Sequence, residues 1–241
     1  FGEEWCPHFG VVFHLDQRTS FRGRISKGFR SPQLNELYMF PPANADLLPE
    51  RVWNYEIGFQ REFGDLLRFR GSIFKMKGSN MIRSIPNPVS TGFPPFIFSN
   101  SGSFDFTGFE LATEIYPHQS IFGSIAYSQI DYGDLTKGRP GKKINLSMTY
   151  QKAGFSFSLK GRWVMDYHAA DKGGLPIPDY TLLDLRVIVP LSQMIEMNLD
   201  LNNLFDSVYH IYGESPGMAA GLFRMPGRHV SIGFRMKLRK K

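Results

Sequence analysis

The sequence predicts an all-β chain, an antiparallel up-and-down transmembrane β-barrel with about eleven strands present. Three observations carry this. Apolar residues recur at every second position along most of the 241 residues, the spacing that puts them on one face of a strand. The alternating segments are mostly near ten residues or longer, the length of a tilted strand crossing a bilayer, whereas soluble strands average about five or six. The connections alternate short and long, as tight periplasmic turns and long outer loops do in such barrels.

Taken in order, strands are expected at roughly 7–16, 19–30, 51–63, 66–84, 98–116, 120–132, 143–152, 155–167, 179–190, 194–205 and 227–238. In the second, Phe21, Gly23 and Ile25 alternate with Arg22, Arg24 and Ser26; in the third, Tyr55, Ile57 and Phe59 alternate with Asn54, Glu56, Gly58 and Gln60. The fourth carries Leu67, Phe69, Gly71 and Ile73 in a phase that reaches Lys75 and Lys77, placing Lys77 at headgroup level, where it can snorkel, with Lys27 likewise close to a long loop. Ile144, Leu146, Met148 and Tyr150 define the seventh strand; Phe155, Phe157, Leu159, Trp163 and Met165 the eighth. Ile195, Met197, Leu199 and Leu201, then Val230, Ile232, Phe234, Met236 and Leu238, mark the last two. Trp53, Phe63, Tyr150, Phe155 and Trp163 sit at strand ends and suit interfacial girdles. Short turns fall near Asp16, Gly64, His118, Ala153 and Ser192; long loops span 31–50, 85–97, 133–142, 168–178 and 206–226.

Composition narrows the classes further. No run approaches the roughly 20 apolar residues of a spanning helix, and mean hydropathy is −0.24; barrel strands, only half apolar, leave no hydropathy peak. The net charge of +6 is dispersed apart from Lys237, Arg239, Lys240 and Lys241, which argues against a nucleic-acid partner. Cys6 is the only cysteine, so the chain builds neither an internal disulfide nor a cysteine metal site. The first Met is Met39 and no signal segment opens the chain, so it is read as a piece of a longer polypeptide.

An ordered set of blocks then resembles a known family. Gly28-Phe29-Arg30-Ser31-Pro32, Asn35-Glu36-Leu37-Tyr38, Asn44-Ala45-Asp46-Leu47-Leu48-Pro49-Glu50 and Asn54-Tyr55-Glu56-Ile57-Gly58 look like the strand-loop-strand signature of a TonB-dependent outer-membrane receptor barrel. Thr107-Gly108-Phe109-Glu110, Tyr180-Thr181-Leu182-Leu183-Asp184, Asn203-Leu204-Phe205-Asp206 and Pro226-Gly227-Arg228 continue it in the family's order. The resemblance implies a 22-stranded outer-membrane barrel of which residues 1–241 are the C-terminal part, with the plug domain lying outside this chain. It implies outer-membrane lipid, the N-terminal barrel half, the plug, TonB acting through the plug, and a small-molecule metal chelate or vitamin as partners. The implied function is energised uptake of an iron-siderophore, cobalamin or similar scarce solute. Two departures stand out: the family usually ends on an aromatic residue, whereas this chain ends Arg239-Lys240-Lys241, and residues 33–43 hold no histidine, against a haem cargo.

The motif residues Gly28, Phe29, Arg30, Pro32, Glu36, Leu37, Tyr38, Asn54, Glu56, Gly58, Asn203, Leu204, Phe205, Asp206, Pro226, Gly227 and Arg228 are read as shaping the barrel. Ligand contacts are expected from long loops, with Tyr38, Phe40, Asn44, Tyr167, His168, Tyr212 and Arg224 as candidates: aromatics to stack, Arg224 to meet an anionic chelate. His118-Gln119-Ser120 is the sole local catalytic suggestion and falls in a turn; with no G-x-S-x-G, zinc spacing or phosphate loop, no enzyme, cofactor or metal site is expected. His210, Met218 and Met225 are soft donors whose spacing fixes no copper geometry. The alternatives are a passive porin or structural outer-membrane barrel and a soluble β-sandwich binding module. If the membrane reading holds, Leu146, Leu185 and Leu199 face out and are not buried under a second layer.

Overall fold

The computed structural model describes residues 3–39, 43–88, 94–213 and 221–236. Strands β1 (His8–His14), β2 (Thr19–Arg30), β3 (Glu50–Phe63), β4 (Leu67–Ser79), β7 (Ser103–His118), β8 (Ile121–Asp131), β9 (Lys142–Lys152), β10 (Phe155–Met165), β13 (Tyr180–Pro190), β14 (Ile195–Asn202) and β17 (His229–Met236) form one 11-stranded sheet in that order. All pairings in it are antiparallel. The sheet is not closed: β1 and β17 are its edges. Three small ladders, β5 (Ile82–Pro86) with β6 (Phe96–Asn100), β11 (Tyr167–His168) with β12 (Pro176–Ile177), and β15 (His210–Gly213) with β16 (Gly221–Arg224), stand in the long loops. Among the described residues one helix, the four-residue α1 (Leu34–Leu37), follows β2.

The short turns carry the residues their geometry demands. Asp16 Oδ1 accepts the Arg18 N–H at 2.7 Å, and Gly64 closes β3 to β4 at φ 60°. Ala153 and Gly154 join β9 to β10 with φ 50° and 82°, the two positive values of a hairpin turn whose twist matches its strands. The expected strands 66–84 and 98–116 are each broken. Asn80 at φ 58° and Gly102 at φ 127° bend the two chains at the same level, and Met81 and Ser101 re-pair beyond them. The tips therefore leave the main sheet as the β5–β6 hairpin. His118 ends β7, and Ser120 donates its backbone N–H to His118 Nδ1 at 3.1 Å in the turn that follows.

Register and alternation sort the side chains of all eleven strands into two continuous faces. One row reads Val12, Arg22, Gly58, Ser72, Glu110, Ser128, Lys143 across seven strands; the next reads Val11, Gly23, Ile57, Ile73, Phe109. The apolar face is the open one: Ile57, Ile73 and Ile232 are 63%, 60% and 63% exposed, while the carboxylates Glu56 and Glu114 on the polar face are 17% and 16% exposed. A soluble sandwich would invert this. Among the described residues every strong strand contact is between hydrogen-bonded neighbours and no second sheet covers the first, while Leu146, Leu185 and Leu199 are only half-buried by flanking strands. The β-sandwich alternative is thereby overturned.

Charges on the apolar face lie at two levels only. In β3 the outward cations Arg51 and Arg61 are separated by ten positions, and in β9 Lys142 and Lys152 repeat that spacing. At about 3.3 Å per residue and ~45° tilt this is about 23 Å, close to the apolar band of an outer-membrane barrel. Lys77 sits at the outer level, and Lys75, one outward position below it, is paired to Asp105 at 3.0 Å. Outward Trp53 and Trp163 mark that level, and Phe63, Tyr150 and Phe155 the other.

Candidate functional site: the inner wall and the outer loops

The polar face changes character with height. In its lower and middle parts, charges neutralise one another across strands: Glu56 takes Arg22 at 2.9 Å and Arg24 at 3.0 Å, Arg68 reaches Glu62 at 2.9 Å, Arg68 and Arg70 converge on Glu114, and Arg186 meets Asp200 at 2.7 Å. Near the outer end the same phase turns aromatic. Phe104 stacks on Phe106 with centroids 4.5 Å apart, Tyr132 meets Phe106 edge-on at 5.0 Å, and Arg139 lies 5.9 Å and 6.0 Å over Phe106 and Tyr132. The Arg139 guanidinium donates to the carbonyls of Leu135 (2.9 Å) and Lys137 (3.3 Å) and makes no carboxylate pair among the described residues. Burial holds the Tyr132 hydroxyl protonated above its ordinary range, against the opposing charge of Arg139. The result is a half-sheltered cation over a neutral aromatic floor, suited to an anionic group with a flat or apolar body.

Two glycines make room for this floor. A Cβ on Gly78 would run into the Phe104 ring, and one on Gly108 would lie 2.7 Å from the Phe74 ring and the Gln129 carbonyl. Gly78→Ala is expected to push Phe104 off Phe106 at a cost of about 1–3 kcal/mol; loss of the Phe104–Phe106 stack in a crystal structure of the variant checks it.

The loops above interlock. Val164, Tyr167 and Ile177 form a small buried core, with Ala169, Tyr180 and Tyr212 packed on it. The Tyr212 N–H donates to Tyr167 Oη at 2.9 Å, and Lys137 sits 5.2 Å over the Tyr212 ring. Thr136, Lys137 and Gly138 bond to Ala170 O, Asp171 Oδ1 and His168 O, and Arg83 on β5 reaches Asp171 from the neighbouring hairpin.

The expected ligand residues thus separate by environment. Tyr167, His168 and Tyr212 are brought together, Tyr167 only 6% exposed inside the packing. Asn44 donates to Phe98 O at 2.9 Å and accepts the Asp46 N–H at 3.0 Å, tying the 43–49 segment to β6. Tyr38 is 66% exposed at the end of α1, and Arg224 is exposed opposite His210 in the β15–β16 ladder. Phe40 lies outside the described residues, as does Met218; among the described residues no acidic, histidine and cysteine cluster gathers around His210 or Met225. Arg139, Tyr132, Phe104 and Phe106 were not foreseen. Their signal was a break of phase: Phe104 and Phe106 occupy the alternation that carries Glu110 and Glu114 lower on β7.

The motif blocks meet as two knots. In the first, Arg30 donates through Nε to Glu50 (2.7 Å) and through Nη1 to Glu36 (3.1 and 3.0 Å), above buried Pro32, Leu37, Leu47 and Pro49. Gly28 faces Val52 at 3.6 Å, Phe29 is half exposed on the apolar side, Asn54 and Glu56 lie on the polar face, and a Cβ on Gly58 would strike Arg22 at 2.7 Å. In the second, Asn203 at φ 52° exchanges bonds with Ser207 at 2.9 Å, and the Leu204 N–H reaches Leu183 O. Phe205 is exposed, Asn203 also reaches Pro226 O, and Asp206 accepts the Arg228 N–H at 2.7 Å; a Cβ on Gly227 would lie 2.6 Å from Asp206 Oδ1.

The sheet, its inverted faces and its two-level charges define a piece of a transmembrane β-barrel. The family description "TonB dependent receptor-like, beta-barrel" matches residues 2–204, and the chain belongs to that family of Gram-negative outer-membrane proteins. It is similar to the vitamin B12 transporter BtuB of Photobacterium profundum, 26% identical over 207 residues, 83% of this chain and 33% of that protein. The vitamin B12 transporter BtuB of Vibrio vulnificus is 24% identical over 222 residues, 90% of this chain and 35% of that protein. The chain therefore spans about a third of the length of the curated relatives it matches. Among solved structures, the ferric yersiniabactin uptake receptor FyuA from Yersinia pestis superposes with a TM-score of 0.74 at 20% identity, over 95% of this chain and 36% of that one. The copper transporter OprC gives 0.72 at 15% identity, over 95% and 38%. These two likenesses concern the fold; the relatives are transporters and receptors, not enzymes.

Proposed function

We propose that residues 1–241 are the C-terminal part of the barrel of an outer-membrane uptake receptor, without covalent chemistry of its own, which captures a scarce solute carrying an anionic group, an iron-siderophore, cobalamin or similar, at its outer end and imports it with energy delivered by TonB through a plug domain. The observation that carries the reading is the change of the inner wall from paired charges to an aromatic floor under Arg139. A porin favours a polar wall throughout, which lets hydrated solutes pass. A floor that binds flat apolar surface, under a guanidinium with no carboxylate partner among the described residues, favours capture, and a captured solute needs work to release it. The loop candidates Tyr38 and Arg224, both exposed, supply further contacts from above.

The two curated relatives make a corrinoid the first cargo to assay, with a ferric siderophore as the second. The complete receptor, expressed in a Gram-negative strain deleted for its own receptors, is expected to take up one of cyanocobalamin and ferric yersiniabactin only when TonB is present. Uptake of either that persists without TonB sinks the energised reading in favour of a passive pore. Arg139→Ala is expected to weaken binding of the accepted cargo about tenfold, the worth of one charge-assisted contact, as read by equilibrium binding to purified receptor.

A further inference from the structure

At the opposite end of the wall, a pocket is lined by Asp16, Gln17, Arg18 and Thr19 of the β1–β2 turn and by Arg61, Glu62, Phe63 and Gly64 at the end of β3. We infer that this pocket binds the headgroup of one inner-leaflet phospholipid bearing both a phosphate and a primary ammonium, with Arg61 and Arg18 on the phosphate and Asp16 on the ammonium.

Position is the first argument. Arg61 points outward, in register with Thr19 and Phe69, at the periplasmic level of the two that bracket the apolar band. A cation facing lipid there is costless only where polar headgroups receive it. Partnership is the second. The Arg61 guanidinium lies 5.2 Å over the Phe63 ring, and among the described residues neither Arg61 nor Arg18 is within ion-pair distance of a carboxylate, whereas Glu62 beside them is engaged by Arg68 at 2.9 Å. Both guanidinium forks are thus available to phosphate oxygens, the geometry at which arginine exceeds lysine.

Complementarity is the third. Asp16 closes the turn by accepting the Arg18 N–H at 2.7 Å, and that bond first, then bonds from Thr19 and the charge of Arg61, hold it below the usual carboxylate range. It therefore stays ionised at neutral pH beside two cations, the pattern a zwitterionic headgroup matches. Directly above, the next outward row is Phe13, Phe21 and Phe59, with Phe21 41% exposed and Phe21 and Phe59 5.1 Å apart, a surface for the acyl chains.

The test is native mass spectrometry of the complete receptor, extracted in mild detergent and exchanged against equimolar phosphatidylethanolamine, phosphatidylglycerol and phosphatidylcholine. The wild type is expected to retain one phosphatidylethanolamine in preference to the other two. Arg61→Ala with Arg18→Ala should lower that retention about tenfold, Arg61→Lys should lower it less, and Asp16→Asn should erase the preference for phosphatidylethanolamine over phosphatidylglycerol while leaving a bound lipid. Circular dichroism establishes that each variant is folded, and the Lys and Asn variants carry the test if the double Ala variant is not. Equal retention of the three lipids, unchanged retention in the arginine variants, or displacement of the lipid by millimolar inorganic phosphate alone would each overturn the inference.

Discussion

Leu146→Arg, placed at the middle of β9, is expected to destabilise the folded receptor in lipid by about 2–4 kcal/mol, whereas Tyr150→Arg on the same face should cost about 0–1 kcal/mol. Leu146 lies on the apolar face between Lys142 and Lys152, in register with Ile125 and Gly161. From there an arginine must travel about 9 Å along the barrel wall to the level of Lys142 and about 14 Å to that of Lys152, beyond the comfortable reach of its side chain. Tyr150 is two positions from Lys152, and an arginine there reaches headgroups directly. Each Arg variant is compared with the Ala variant at its own position, which removes the lost Leu packing and the Tyr150–Phe155 contact at 6.2 Å. Asn145→Arg, one residue away on the polar face, is the control for β-propensity and should change little. The measurement is the denaturant midpoint of reversible folding into vesicles. A penalty equal at positions 146 and 150 would mean that the face is buried in protein, because only a bilayer grades the cost by depth.

That gradient was legible in the sequence because it needs nothing beyond period two and the positions of charges. Arg51 and Arg61 can be counted ten apart without knowing where either side chain goes. The expected strands at 19–30, 143–152 and 179–190 accordingly match β2, β9 and β13 to within a residue. What failed was local backbone geometry. Apolar residues continue past the bends at Asn80 and Gly102, Met81 and Ile82 on one chain and Phe98 on the other, so hydrophobicity alone ran the strands straight through. The four-residue strands β15 and β16 are too short for alternation to register. The inner site was hidden for another reason: the aromatic floor is assembled from β7, the β8 end and the next loop, and only register brings Phe106, Tyr132 and Arg139 together. Likewise Tyr167 is legible as a loop aromatic, but its burial depends on Val164, Ile177 and Tyr212 arriving from three separate segments.

Arg30→Ala should cost about 2 kcal/mol and loosen the 33–49 segment before any strand melts. The two carboxylates that Arg30 joins cannot move apart once it is gone. Glu50 Oε1 accepts the Ile82 N–H at 2.7 Å, and Glu36 Oε2 accepts the Gln33 N–H at 2.7 Å as part of the α1 capping box. Both are sheltered, at 23% and 13% exposure, so water screens them poorly. Removing a buried partner typically costs about 3–5 kcal/mol, and the 40% exposure of the guanidinium scales that down. Arg30→Lys should recover only part, because an ammonium does not present the fork that reaches Glu50 through Nε and Glu36 through Nη1 together. The decisive variant is Glu36→Gln in the Arg30→Ala background. If charge crowding is the cause, it restores stability toward wild type, whereas if Arg30 acts through its packing on the chain, the double variant is no better than the single one. Protease cleavage within 33–49, timed against thermal melting of the barrel, reads both the loosening and its rescue.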